Sequence, residues 1–86
     1  MVTINKDTLK EILVLEELAK LHATKARIKQ FEDKYRLSFE AFSQKIKDKE
    51  IFEEYDDFIE WKAYQQLRNA INQKIADIKD GNFQIS

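Results

Sequence analysis

An all-α fold, two long antiparallel helices joined through a short third one, is what this sequence predicts, and three observations carry the prediction. The chain has one Gly and no Pro in 86 residues, where average usage would place roughly six and four. Residues suited to tight hairpins and phosphate-cradling loops are therefore almost missing. Apolar residues recur at three- and four-residue steps over two long stretches, which is the period of a helix face. Ser, Asn and the lone Gly fall at the ends of those stretches, where helix caps belong.

The first helix is expected at about residues 6–35. Asn5 offers an N-cap oxygen, and Ile4 with Leu9 has the spacing of a hydrophobic staple around that cap. Leu9, Leu13, Val14, Leu18, Leu21, Ile28, Phe31 and Tyr35 form the stripe, which Leu15, Ala19, His22 and Ala26 widen. At 1.5 Å per residue this is a rod of roughly 40 Å. The second helix, about 38–47, opens on Ser38 as N-cap, with Glu40 at the positive end of the helix dipole and Leu37 and Phe42 at staple spacing. It should fade in Lys47-Asp48-Lys49.

The third helix is expected at about 51–79, with Ile51, Phe52, Tyr55, Phe58, Ile59, Ala63, Leu67, Ala70, Ile71, Ile75 and Ile78 as its apolar stripe. Asp80-Gly81 ends it, the Gly standing where a left-handed C′ residue is wanted. Val2 and Ile4 before the first helix, and Phe83 and Ile85 after the last, alternate with polar residues as short extended segments would. An antiparallel pairing of the long helices would bring those two segments together, within one chain or across a dimer. Trp61 and Tyr64 fall off this stripe. Apolar residues thus outnumber the places in one two-helix seam, which predicts dimerisation into a helical bundle or docking of another protein.

The 43% apolar and 36% charged composition is that of one folded domain rather than a disordered tail. No apolar run approaches the roughly 20 residues of a membrane span, and the polar amino terminus is unlike a secretory signal. A cytoplasmic protein is expected. With no Cys and a single His, disulfides, cysteine zinc sites and thiol nucleophiles are excluded, and a triad or His-rich metal site has too few members. No catalytic residue, cofactor or metal is assigned.

Charge is balanced overall, 15 bases against 16 acids, but unevenly placed. Asp48 to Glu60 holds seven acids and only Lys49 as a base, whereas Lys20 to Lys47 is rich in lysine and arginine. The two segments have the charge to attract each other or different partners. Glu53, Asp57 and Glu60 share one side of a helix, but the Glu-x-x-His pairs of a di-iron site are missing. A solvated acidic face is the simpler reading. The bases from Lys25 to Arg36 are scattered around their helix, so nucleic acid is not an expected partner of the isolated chain.

Phe31-Glu32-Asp33-Lys34-Tyr35-Arg36-Leu37-Ser38-Phe39-Glu40-Ala41-Phe42 and, further on, Asp56-Asp57-Phe58-Ile59-Glu60-Trp61-Lys62 resemble a pattern of small helical antitoxin-type proteins of prokaryotic toxin–antitoxin modules. Arg36 stands where that pattern has Gly. The resemblance implies a non-enzymatic protein that silences a cognate toxin by direct binding. Glu53, Glu54, Asp57, Trp61 and Tyr64 are the residues expected to touch such a basic partner, with charge guiding encounter and aromatics anchoring it. Two alternatives stand beside it. One is a homodimeric structural or adaptor protein. The other is a small helical enzyme, since the long, short, long order of helices resembles the dimeric chorismate mutases; the early arginines of that family's first helix are missing, Arg27 being the first arginine here.

Overall fold

In a computed structural model of the chain, residues 5–47 and 52–81 are described. The proposed meeting of Val2 and Ile4 with Phe83 and Ile85, the Ile4 half of the first staple, the charges at Asp48 to Glu50, and the packing of Ile51 and of the Phe52 side chain lie outside the described residues. The fold is all-α: three helices, α1 (Lys6–Tyr35), α2 (Phe39–Ile46) and α3 (Phe52–Lys79), with no strand among the described residues.

Local chemistry sets the helix ends. Asn5 Oδ1 accepts from the Thr8 amide at 2.8 Å, and Ser38 Oγ accepts from the Ala41 amide at 3.2 Å. Both cap residues are extended, as an N-cap requires. At the end of α1 Arg36 turns left-handed, φ 58°, and its amide donates to the Glu32 carbonyl at 2.8 Å. Gly81, φ 83°, does the same for α3, its amide donating to the Ile78 carbonyl at 3.0 Å.

α1 and α3 pack along their length into a rod of 60 × 19 × 18 Å, and α2 packs on α3. As residue numbers climb in α3, those of the contacting residues in α1 fall: Lys34 meets Asp57, Phe31 stacks on Trp61, and Glu17 pairs with Lys74. The inward positions follow alternating steps of three and four residues. In α1 they are Val14, Glu17, Leu21, Thr24, Ile28, Phe31 and Tyr35; in α3 they are Asp57, Trp61, Tyr64, Arg68, Ile71, Ile75 and Ile78. A seven-residue repeat of this kind keeps one seam in contact over many turns.

That seam corrects the sequence reading of α3. Trp61, expected on the surface, is 0% exposed. Its ring lies 5.6 Å from Phe31, 5.3 Å from Phe42 and 5.5 Å from Phe39, and Tyr64 is half-buried against Phe31 at 6.4 Å. Tyr55, Ile59, Ala63, Leu67 and Ala70, expected in the core, are exposed instead. On α1, Leu18 likewise points outward, together with Ile12, Leu15 and His22, while Glu17 and Thr24 take inward places. The reason is α2, which brings Phe39, Phe42 and Ile46 to one side of α3 and draws the large rings of Trp61 and Phe58 toward them.

Candidate functional site

Two polar clusters tie the long helices together, and one apolar face is left uncovered. The first cluster is at the α2 end. Asp57 accepts from Lys34 at 2.7 Å and from the Tyr35 hydroxyl, and Glu53 lies 3.7 Å from the same lysine. Burial raises the Asp57 pKa, but the hydrogen bonds from Lys34 and Tyr35 outweigh it and hold the carboxyl below its ordinary value. Burial first, then the bond to Asp57, pushes the Tyr35 hydroxyl up to about 12. The bond to Asp57 also raises Lys34. The acidic start of α3 and the basic end of α1 therefore attract each other within one chain.

The second cluster surrounds Glu17, which is only 4% exposed in the seam between Leu21, Ile71 and Ile75. Its Oε1 lies 2.9 Å from Lys74 and 3.2 Å from Lys20. The bond from Lys74 is the main cause of its lowered pKa, working against burial and assisted by Lys20. A buried carboxylate without those cations would be strongly destabilising. Thr24, one helical repeat further on, satisfies its hydroxyl by donating to the Lys20 carbonyl at 2.8 Å. Glu17 was missed in the sequence, although Val14, Leu21 and Ile28 at seven-residue steps bracket the inward positions 17 and 24.

The five residues expected to bind a partner are not brought together as one surface. Trp61 is core, Tyr64 is half-buried beneath Arg27, whose guanidinium lies 6.0 Å from its ring centre, and Asp57 is engaged by Lys34 and Tyr35. Glu54 is half-buried, and its Oε2 is buried with no hydrogen-bond partner among the described residues. Only Glu53 is fully on the outside. What the outer face of α3 presents instead is Tyr55, Asp56, Ile59 and Glu60, followed by Ala63, Leu67 and Ala70. The signal that finds this face is the inward series itself: counting back from Ile78, Ile75 and Ile71 by threes and fours reaches Tyr64, Trp61 and Asp57.

Beside that face, Ala23, Thr24, Leu67, Ala70 and Ile71 line a shallow apolar groove of about 440 Å³, flanked by Lys20 and Lys74. A second open groove at the other end of the pair is lined by Lys10, Glu11, Val14, Leu15 and Lys79. The first groove is lined by no carboxylate, and the second by Glu11 beside Lys10 and Lys79. Among the described residues no three His, Asp or Glu side chains come together as a metal site, and no helix is long and apolar enough to cross a membrane.

These features define a small all-helical protein with a heptad-spaced seam and large apolar residues on its outer faces. The chain belongs to the family described as the uncharacterized protein MJ0235 family, whose model matches residues 2–83. No curated protein and no solved structure matches it.

Proposed function

We propose that the chain is a non-enzymatic protein-binding module, an antiparallel helix pair that associates through the outer face of α3. The observation that carries this reading is the exposure of Tyr55 and Ile59, each more than half open, beside Asp56 and Glu60. Exposed aromatic and aliphatic side chains rimmed by like charge suit an apolar surface edged with lysine or arginine, where burial supplies affinity and charge speeds encounter. A basic toxin of the kind implied by the resemblance of residues 31–42 and 56–62 is a partner of this chemistry, and the contact set becomes Tyr55, Asp56, Ile59 and Glu60, with Glu53 directed instead toward Lys34. Trp61, Tyr64 and Asp57 support that face from beneath.

Coexpression with the product of the adjacent gene tests the reading. The two proteins are expected to copurify, and Ile59→Lys to lose the complex while the helical circular dichroism of the chain stays unchanged. Copurification indifferent to Ile59→Lys and Tyr55→Lys would remove this face from the binding account.

A further inference from the structure

α1 carries a second seven-residue repeat, on the side turned away from α3. Ile12, Leu15, Ala19, His22 and Ala26 follow steps of three, four, three and four, the spacing that keeps a stripe beneath one partner helix. All five are exposed, Leu15 at 65%, and Leu18 beside them is 44% exposed. Thr8 and Lys29 extend the stripe to three heptads, about 30 Å. No described residue of another helix covers it.

The charges along its edges decide what fits. Glu11 and Lys25 flank the stripe on the same edge, both exposed and neither in an ion pair among the described residues. Against an antiparallel copy of the stripe, each Glu11 lies beside Lys25 of the other, so the attraction occurs twice. A parallel copy sets Glu11 against Glu16 twice. Sliding the antiparallel pair by one heptad sets Glu11 against Glu32 or against Leu18. Charge therefore selects both direction and register.

Side-chain size agrees. In that register Leu15 packs on Ala19 of the second copy, Ile12 on His22 and Thr8 on Ala26, each layer occurring once on either side of the axis. The axis passes between the two Leu18 side chains on one edge and the two Glu16 side chains on the other. A parallel pair would leave Ala19 on Ala19 and Ala26 on Ala26, two layers with nothing large to fill them. An isologous interface needs a surface complementary to itself, and this stripe is so apart from the meeting of Glu16 with its copy.

We infer that the chain forms a two-fold homodimer in which α1 packs antiparallel on α1 of a second copy through Ile12, Leu15, Ala19 and His22, with Glu11 of each copy beside Lys25 of the other. The contact leaves the outer face of α3 open, so it stands independently of the reading of that face.

Sedimentation of the purified chain at about a hundred micromolar should give a dimer. Glu11→Lys should weaken it by about tenfold, the double variant Glu11→Lys with Lys25→Glu should restore it, and Glu16→Gln should tighten it. The chain has no cysteine, so single-cysteine variants carrying a spin label report the direction. Labels at Leu18→Cys should lie close together, whereas labels at Lys29→Cys should stand about 35 Å apart along the helices. A monomer, short distances at both positions, or a charge-swapped double variant that fails to restore the dimer overturns the inference. So does a dimer that Ile59→Lys dissociates and Glu11→Lys does not, which would place the contact on α3.

Discussion

The two ends of the helix pair are built on different principles. At the α2 end, Trp61, Phe42 and Ile28 are buried with Phe31, Tyr35, Phe39 and Phe58 packed around them, and three helices share the core. At the far end two helices meet among the described residues, with Leu21, Ile71 and Ile75 clustered beside Val14 and Ile78 buried further along, and a charged Glu17 sits in the seam. Aromatic rings bury far more surface each than aliphatic side chains, so the α2 end carries the folding energy. A thin seam specifies less by packing alone. The far end fixes its alignment by Glu17 between Lys20 and Lys74, because any slip of one helix past the other would separate a buried charge from its cations.

Truncation of the rings should break the comparison most severely. Trp61→Ala is expected to lower stability by about 3–5 kcal/mol, since it empties the contact point of four aromatic side chains; urea unfolding followed by circular dichroism measures it. The far end responds to charge instead. Removing both cations with Lys20→Ala and Lys74→Ala should destabilise by about 2 kcal/mol, less than for a fully buried pair because the lysines reach into solvent. Glu17→Leu in that double variant should restore the loss, and failure to restore it would refute the account of the seam.

The Lys34–Asp57–Tyr35 cluster sharpens the comparison through pH. Asp57 and Glu17 are held below their ordinary values of 3.8 and 4.5, so the unfolded chain takes up these protons first as pH falls. Stability present near neutrality is lost below about pH 4. Tyr35 shifts the other way, from 10.0 to about 12; the unfolded tyrosine ionises first, and stability falls as pH climbs through that window. Asp57→Asn, with a loss of about 1–2 kcal/mol at neutral pH, should flatten the acid limb, and one of the three tyrosines should titrate late in the tyrosinate absorbance band. The smallest effect belongs to Arg36, left-handed at φ 58°. Arg36→Gly should stabilise the turn by about 0.5–1 kcal/mol, read as a raised unfolding midpoint.

The helical class, and Asn5 and Ser38 as caps, were legible because capping is local chemistry that a sequence displays directly. The assignment of faces was not. Tyr55, Ile59, Leu67 and Ala70 make as good a helical stripe as Trp61, Tyr64, Ile71 and Ile75, and both are written on α3. Periodicity proposes two apolar faces without ranking them. The ranking comes from α2, whose Phe39 and Phe42 reach Trp61 across a sequence separation no local pattern contains. Glu17 stayed hidden for a related reason: a carboxylate on an apolar seam is recognisable only once Lys74, distant in sequence, is known to meet it.

Trp61 is the sole tryptophan, and its fluorescence tests the face assignment most directly. A ring enclosed by Phe31, Phe39 and Phe42 should emit at short wavelength and resist acrylamide quenching in the native protein, becoming red-shifted and quenchable only on unfolding. Native emission already red-shifted and freely quenched would place Trp61 on the surface and return Tyr55 and Ile59 to the core.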